Sequence, residues 1–414
     1  MPLPIAITGC GITTCLGVGK GANWEALRSG RSGLAEVTRF NIGDYPVRRA
    51  GEAPLLVPEA VERWAAPVHA PEDQRSVEMW ELTRVVEEAC ADAGLEPERA
   101  TATPNVGLTI GSSLAGSSTA DQFFEQYMSR DRESVDYGLL DGYYIEEHLR
   151  QICSHLGIIG SSILISNACA AGGSSLATAA RWLLTGRVDM VIATGYDPLS
   201  NFTFAGFGSL MALSTTQLRP LSKNRDGMLL GDGYAALILE RGDDAWAANR
   251  EPLALLAGYG ESTDAHHLTQ PDPRGGGAAL AMRRALAKAS LQPEDIGYVN
   301  CHGTATPAND GAEVSALSSV FGDRLAQLPI SSSKPFFGHT LGGAGTVEAV
   351  VSILALRHGF LPATLNLDEL DPEFPPLDPL ETGRECSLRH AMSNSFGFGG
   401  SNTSLVFSLP EEHA

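Results

Sequence analysis

Two segments of the chain repeat each other, and this repeat constrains the fold more than any other feature. Residues 172–186 (GGSSLATAARWLLTG) and 345–359 (GTVEAVVSILALRHG) have equal length, and each follows a glycine-rich turn. Apolar residues recur in both at the spacing of one helix face. Helices that look alike also occur by chance in α/β proteins. The matched position of the two segments within halves of similar makeup favours a duplicated fold, joined near residues 243–251.

Short apolar runs alternate with the helical segments along the whole chain, which is typical of an α/β protein. The chain has 414 residues and is 43% hydrophobic, enough for one large core shared by two halves. The sequence therefore predicts an N-terminal half at residues 1–250 and a C-terminal half at residues 251–414. The candidate strands are Pro4–Thr8, Val106–Ile110, Ser162–Ile165, Met190–Thr194, Ala235–Leu239, Leu253–Tyr259, Tyr298–Asn300 and Ser404–Phe407.

Charge and cysteine content exclude several classes of function. The formal net charge is −20, which disfavours binding to nucleic acid or to an anionic membrane surface. No apolar run is long enough to cross a membrane, and residues 1–7 contain no Lys or Arg, unlike a signal peptide. The seven cysteines are scattered without a C-x-x-C pair, which disfavours a disulfide framework or a zinc site. We therefore expect a cytoplasmic protein with no metal.

One cysteine stands in an unusual setting. Cys169 lies among small residues (SNACAAGG) between the apolar run at 163–165 and the first repeated helix. A cysteine at a helix N-terminus experiences the positive end of the helix dipole, which stabilises a thiolate. An arbitrary cysteine is more often a buried structural residue. The small neighbours leave space around this sulfur, and Cys169 is therefore a candidate nucleophile.

Two histidines occupy similar turns in the second half. His302 follows a candidate strand in the stretch CHGTATP, and His339 precedes the second repeated helix in the stretch KPFFGHT. Lys334 and Glu348 add ionisable groups to a mostly apolar neighbourhood, which is a mark of functional sites. Together with Cys169, these residues on glycine-bounded turns indicate acyl-thioester chemistry.

At these residues the chain resembles a β-ketoacyl-acyl-carrier-protein synthase, an elongating condensing enzyme of the thiolase superfamily. The likeness runs from Ile7-Thr8-Gly9 to the C-terminal strand and includes the stretches RDGMLLGDG and SFGFGGS. The resemblance implies a five-layered αβαβα sandwich of two duplicated halves. It also implies a decarboxylative Claisen condensation with malonyl-carrier protein, in fatty-acid or type II polyketide or polyene biosynthesis, without a metal or organic cofactor.

The resemblance also assigns roles to individual residues. Cys169 would carry the acyl chain, while His302 and His339 would promote decarboxylation and hold the enolate oxygen. Lys334 and Glu348 match a buried ion pair that orients the second histidine. Phe398 matches a gating phenylalanine whose backbone N–H, with that of Cys169, would hold the oxyanion of the condensation step. Leu114 and Phe207 match positions that line the acyl pocket, although packing in the core is the alternative for both.

Some positions depart from the housekeeping enzyme of this family. Ser166-Asn167 precedes the nucleophile where a less polar residue and Thr are usual, Asp197 stands where Glu is more usual, and the region of Met211 lacks an arginine. Residues 72–79, which match the carrier-docking helix, carry few basic residues. A secondary-metabolite ketosynthase is therefore an open alternative to a primary fatty-acid enzyme.

Two other functions compete with this hypothesis. A chain-length-determining partner subunit of a ketosynthase heterodimer would lack the nucleophile, which argues against it because Cys169 is present. A cysteine-dependent acyl hydrolase would need neither the second histidine nor Lys334.

The resemblance also implies partners. They are acyl- and malonyl-loaded acyl carrier protein and a second subunit, which makes a homodimer or a heterodimer. Carrier proteins of this system are acidic, so docking would need a local basic patch. The candidates for that patch are Arg75, Arg130, Arg132, Lys223 and Arg225.

Overall fold

The computed structural model describes residues 4–54, 77–96, 105–129 and 131–411. Sixteen strands lie in these ranges. They are β1 (Ile5–Thr14), β2 (Gly17–Val18), β3 (Ala35–Glu36), β4 (Arg49–Ala50), β5 (Val106–Gly111), β6 (Ser162–Ile165), β7 (Met190–Asp197), β8 (Gly233–Arg241), β9 (Ala254–Thr263), β10 (Tyr298–Asn300), β11 (Pro329–Ser331), β12 (Phe360–Leu361), β13 (Asp378–Pro379), β14 (Arg384–Glu385), β15 (His390–Phe396) and β16 (Ser401–Ser408).

Eleven α-helices lie in the same ranges, none of them long and apolar enough to cross a bilayer. They are α1 (Gly19–Ser29), α2 (Val77–Asp92), α3 (Ser117–Ser129), α4 (Ile145–Leu156), α5 (Ala171–Leu184), α6 (Asn201–Ser209), α7 (Gly242–Ala247), α8 (Gly276–Ala289), α9 (Pro307–Phe321), α10 (Lys334–Phe337) and α11 (Ala344–His358). The two repeated segments of the sequence form α5 and α11.

The strands form two sets with the same topology. Hydrogen bonds connect the first set in the order β1-β8-β7-β5-β6 and the second in the order β9-β16-β15-β10-β11. Counted along the chain, the strands of each set have the spatial order first, fifth, fourth, second, third. The first and fifth strands pair antiparallel, and so do the fifth and fourth. The fourth and second strands pair parallel, and so do the second and third. Such agreement in both order and direction confirms the predicted duplication.

The helices complete a sandwich of five layers. In the centre, Leu176 and Leu183 of α5 and Val347 and Val351 of α11 share one apolar cluster with strands of both sets. A second cluster packs α2 against β5, β7 and β8, and a third packs α8 and α9 against β10, β15 and β16. The central helices are apolar on most sides because sheets cover them on two faces. The predicted αβαβα architecture is confirmed.

The two sets of strands also meet directly. Residues Ile5–Ile7 of β1 pair antiparallel with Ala254–Leu256 of β9, which joins the strands into one continuous sheet. Turns at equivalent positions of the two halves therefore come close to each other. These turns carry the candidate site.

Candidate active site

The Cys169 turn connects β6 to the central helix α5. The strand ends at Ile165, the helix begins at Ala171, and Ala168 takes a φ of 55°, a left-handed conformation that a residue with a side chain rarely adopts. Gly397 lies against this turn, where a Cβ would come within 3.0 Å of the Cys169 backbone nitrogen. This close approach disfavours a side chain at position 397, and it brings the stretch that carries Phe398 next to the cysteine.

The electrostatics of Cys169 differ from the sequence-based expectation. Burial raises the pKa of its thiol to about 12, although the Lys334 charge and hydrogen bonds from the backbone N–H groups of Phe398 and Cys169 lower it. The side chain is only 8% exposed, so desolvation of a thiolate outweighs the helix dipole. Burial thus opposes the stabilisation of a thiolate by the helix dipole. Cys169 stays the predicted nucleophile.

The His302 loop connects β10 to α9. A buried carboxylate, Glu313 on α9, accepts hydrogen bonds from the backbone N–H groups of His302 and Gly303, both at 2.9 Å. Asn394 of β15 donates to the same carboxylate at 3.3 Å. Burial raises the pKa of Glu313 to about 7. The loop that carries His302 is thus held through its backbone by a side chain eleven residues further along the chain.

His339 lies in the turn between α10 and the central helix α11, at the position equivalent to Cys169 in the other half. The backbone N–H of Leu341 donates to its Nδ1 at 3.2 Å. A ring nitrogen that accepts this bond carries no proton, so the hydrogen of the neutral ring lies on Nε2. The side chain is therefore a hydrogen-bond donor through Nε2.

Lys334 and Glu348 form a fully buried ion pair, with neither side chain exposed to solvent. Nζ of Lys334 also lies 3.3 Å from Nδ1 of His302. The resemblance implied that this pair orients the second histidine, His339, whereas the hydrogen bond joins Lys334 to His302. Because the ammonium donates to Nδ1 of His302, this ring too carries its hydrogen on Nε2.

Both histidines are held in the neutral form. Burial lowers the pKa of His302 well below 6.5; the Lys334 charge adds to this effect, and so would a protonated His339. Burial, followed by the Lys334 charge, lowers the pKa of His339 in the same direction. The two rings lie 5.1 Å apart, centroid to centroid, at an angle of 80°. They are two neutral donors side by side.

One cavity of about 330 Å³ brings these groups together. Cys169, His302, His339 and Phe398 all line it, and so does Phe207. The ring of Phe398 lies 5.8 Å from that of Phe207, so the two aromatic rings stand together at the cavity wall. The structure thus unites residues that are 229 positions apart in the sequence, from 169 to 398.

Leu114 is placed less directly. It lies half-buried in the loop after β5 and packs against an apolar cluster that includes Cys169, but it is not among the residues that line the cavity. Its backbone N–H donates to the carboxylate of Asp197 at 2.9 Å. A role in the acyl pocket remains a prediction for Leu114 and for Phe207.

The candidate docking cations give a mixed result. Arg75 and Arg130 lie outside the described residues. Arg225 pairs with Asp371 at 2.5 Å, with only 9% of its side chain exposed, and its guanidinium covers the ring of Phe374. Arg225 is therefore a structural residue. Lys223 pairs with Glu369 but is half exposed.

Sequence reasoning missed two buried carboxylates beside the site. Glu313 holds the His302 loop, and Asp310 accepts from the backbone N–H groups of Leu221 and Ala305. Both follow His302 within helix α9, and acidic residues between apolar ones in that helix were the available signal. No group of three or more His, Cys, Asp or Glu side chains in the described part of the chain is arranged to hold a metal ion.

Family comparisons fit this geometry. Residues 3–245 match the N-terminal domain of beta-ketoacyl synthases, and residues 253–368 match their C-terminal domain. The chain belongs to the β-ketoacyl synthase family. A similar curated relative is the 3-oxoacyl-[acyl-carrier-protein] synthase 2 of Coxiella burnetii, which is 33% identical over 420 residues, covering 98% of both chains.

Solved structures of β-ketoacyl synthases show the same fold. The ishigamide ketosynthase/chain length factor matches 99% of the chain and 100% of its own with a TM-score of 0.90 at 30% identity. A beta-ketoacyl synthase from Burkholderia phymatum matches over the same shares, with a TM-score of 0.88 at 31% identity. The similarity therefore covers the family's whole architecture.

Proposed function

We propose that this β-ketoacyl synthase condenses an acyl group, carried on Cys169, with malonyl-acyl-carrier protein to give β-ketoacyl-carrier protein and CO2. The observation that carries the proposal is that a cysteine and two neutral histidines, both with their hydrogen on Nε2, line one cavity. The curated relative from Coxiella burnetii is named for this reaction.

Acyl transfer is the first step. Sγ of Cys169 attacks the thioester carbon of the acyl-carrier, the carbon–sulfur bond to the carrier breaks, and the thiol proton ends on the released carrier thiol. Because the resting thiol has a pKa of about 12, the thiolate forms only transiently. The N-terminus of α5 and the N–H of Phe398 stabilise it as it forms.

Decarboxylation of the malonyl group is the second step. The bond between the malonyl C2 and its carboxylate breaks, CO2 leaves, and the electron pair spreads onto the thioester oxygen. Donors aimed at this oxygen lower the barrier, and the Nε2–H groups of His302 and His339 are suited to supply them. Neutral donors hold the charge without donating a proton to the carbanion.

Condensation is the third step. The carbanion attacks the carbonyl carbon of the acyl-Cys169, and the oxygen of that carbonyl becomes an oxyanion. The backbone N–H groups of Cys169 and Phe398, which lower the pKa of the thiol, are the proposed donors to this oxyanion. Collapse of the adduct breaks the bond to Sγ of Cys169, which leaves as a thiolate and takes a proton from water, and the β-ketoacyl product stays on the carrier.

Lys334 acts through His302 in this scheme and is a positioning residue. Its ammonium fixes the ring tautomer, and Glu348 neutralises its charge inside the protein. The sequence analysis grouped Lys334 with the catalytic residues, and the proposed role is one step removed from the substrate.

Product analysis tests the proposal. The protein is incubated with acyl- and malonyl-carrier protein, and CO2 and carrier-bound products are measured by mass spectrometry. We expect β-ketoacyl-carrier with the wild type, and with Cys169→Ala neither an acyl adduct nor condensation. Cys153→Ala and Cys386→Ala, which alter other partly exposed cysteines, serve as controls that keep activity. Fast release of free acid would instead indicate a hydrolase.

The proposed partners are the carrier protein and a second ketosynthase-like subunit. Strand β6 pairs only with β5 among the described strands, and Ile159 and Ile163 beside or within it are 66% and 37% exposed. An exposed apolar sheet edge favours pairing with another chain. Light scattering should show a dimer, and Ile163→Lys should weaken it. A wild-type monomer alone in solution that dimerises with a related chain would indicate a heterodimer.

The proposal also covers the cellular location of the protein and the boundary between its two halves. Free thiols are found at Cys10, Cys15, Cys153, Cys169, Cys301 and Cys386, which suits the reducing cytoplasm that we propose as the location. We propose residue 250 as the boundary between the halves, because it lies between β8, which ends at Arg241, and β9, which begins at Ala254. Expression of residues 1–250 and 251–414 as separate chains that recombine would test this boundary.

A further inference from the structure

We infer that Asp197 is a positioning residue that sets His339 and the Leu114 loop relative to each other. This inference rests on the proposed function, since it assigns a task within the same reaction. Asp197 is the last residue of β7, and its side chain is 1% exposed. It touches no group to which the reaction chemistry was assigned above.

The carboxylate of Asp197 gathers donors from both halves of the molecule. From the first half, Ser112 Oγ donates to Oδ1 at 2.5 Å, and the backbone N–H of Leu114 donates to the same oxygen at 2.9 Å. The backbone N–H of Ser113 lies 3.1 Å from both oxygens. From the second half, the backbone N–H of Gly342 donates to Oδ2 at 2.7 Å. One side chain therefore satisfies four donors on two separate segments.

The contact with Gly342 leads directly to His339. Gly342 is preceded by Leu341, whose N–H donates to Nδ1 of His339 and so fixes the Nε2–H tautomer. Leu341 has a φ of 50°, an unfavourable conformation that surrounding contacts must hold in place. The Asp197 carboxylate supplies one such contact to the next residue. Without it, the turn can relax, and the hydrogen bond that orients His339 weakens.

The loop that begins at Ser112 and the turn that carries His339 are also in direct contact. A Cβ on Gly342 would lie 2.5 Å from the backbone nitrogen of Ser113 and 2.8 Å from Oδ2 of Asp197. The loop that begins at Ser112 and the turn that carries His339 are thus packed backbone to backbone around the carboxylate. A shift of either segment moves the other, so the wall near Leu114 and the second histidine share one anchor.

An amide in place of the carboxylate tests the inference. Asp197→Asn keeps the size of the side chain but turns an N–H donor toward backbone N–H groups, which leaves at least one of them unpaired. Asp197→Glu restores the charge one methylene further out. We expect Asp197→Asn to lower kcat for decarboxylation of malonyl-carrier protein by about 10²-fold, as for a misplaced catalytic group. Acylation of Cys169 by a short-chain acyl-carrier should fall less than about threefold, because Asp197 does not hydrogen-bond to the Cys169 turn. Its charge raises the pKa of the thiol, so removing that charge favours the thiolate if it has any effect on acylation.

Two further variants separate positioning from general destabilisation. Glu240→Gln changes another buried carboxylate, which binds Arg250 and Thr8 away from the cavity; it should lower the melting temperature without changing the ratio of the two half-reactions. Ser112→Ala removes a donor on the Leu114 side alone. It should alter the accepted chain length and leave decarboxylation within about twofold, since Gly342 keeps its partner.

The outcomes distinguish a failure of the proposed function from a failure of the role inferred for Asp197. If the wild type does not decarboxylate malonyl-carrier protein, the proposed function fails. If the wild type does so and Asp197→Asn lowers both half-reactions equally, or neither, the inference about Asp197 fails alone. Recovery of part of the decarboxylation rate by Asp197→Glu, at an unchanged KM for malonyl-carrier protein, supports the positioning role.

Discussion

The Cys169 turn and the His339 turn occupy the same place in the two halves of a duplicated fold, yet they differ in polarity. Each lies between the third strand of its half and a central helix. Small apolar residues surround Cys169, whereas His339 lies within a buried network with Lys334, Glu348 and His302. Duplication supplied two equivalent helix-start turns, and different side chains suit one to a nucleophile and the other to an oxygen-binding donor.

This difference implies that the two half-reactions can be separated by mutation. The first half would serve acyl transfer, and the second half would serve decarboxylation. Variants of each half test that division.

Removal of either histidine should produce the largest effect. His302→Ala and His339→Ala should each lower malonyl decarboxylation by about 10² or more, the usual cost of a lost oxyanion donor. Acylation of Cys169 should persist in both variants, because its thiol and the N–H groups around it are unchanged. Single-turnover assays with labelled acyl- and malonyl-carrier protein measure the two steps separately. A variant with normal condensation would remove that histidine from the mechanism.

The buried histidines should make the free energy of unfolding decrease at acidic pH. Their pKa values lie well below 6.5 in the folded protein, first because of burial, whereas in the unfolded chain they titrate near 6.5. The folded state therefore binds fewer protons below pH 6.5, and stability is lost as the pH falls through that value, by up to about 1.4 kcal/mol per histidine per pH unit.

A double variant isolates this contribution. Asp197, with a pKa of about 6, and Glu313, with a pKa of about 7, are raised carboxylates and have the opposite sign, since they gain stability as the pH falls. Melting temperatures of the wild type and of His302→Gln/His339→Gln should thus be compared between pH 7.5 and 5.5. The double variant should lose less stability on acidification. Equal losses would mean that the histidines do not stay neutral.

The sequence predicted the layers of the fold and the residues of the site, but not the contacts among them. The spacing of apolar residues predicted the bounds of β6, α5 and α11 to within one or two residues. Strand β15 (HAMSNSF) was missed because Asn394 and its polar neighbours break the apolar run. The structure explains this exception, since Asn394 binds Glu313 beneath the His302 loop. The polar side chain of Asn394 in this buried strand thus helps to hold a loop of the site in place.

Long-range pairs explain the differences between the predicted and the observed site. Lys334 and His302 are 32 residues apart, and only the crossing of their segments decides which histidine the lysine meets. The Cys169 pKa likewise depends on burial by distant chain segments, which no local motif encodes. Local signals thus identify the reactive groups, while their electrostatics arise from tertiary packing.

The loop at Leu114 should influence chain length more than rate. It is the first-half counterpart of the His302 loop, since each follows the second strand of its half. Leu114→Phe should shorten the accepted acyl chains by adding volume beside the Cys169 cluster, with short-chain turnover within about twofold. Leu114→Ile conserves volume and serves as the control. Products are measured by mass spectrometry of the carrier, and an unchanged profile would contradict a pocket role.

Surface charge should have the smallest effect, because exposed ion pairs contribute little. Lys223 is half exposed and bound only to the equally exposed Glu369, so it can be reversed without disturbing the core. Lys223→Glu should raise the KM for carrier protein about twofold and leave turnover of a small thioester unchanged. Lys288→Glu, on α8 and outside the cavity lining, is the matched control. Arg225→Glu would break a largely buried pair with Asp371 and so cannot report docking.

If local cations steer an acidic carrier, salt should weaken its binding, since screening acts over about 8 to 10 Å. Binding that strengthens with salt would show that the net charge of −20 dominates, and would place the docking surface on the partner subunit.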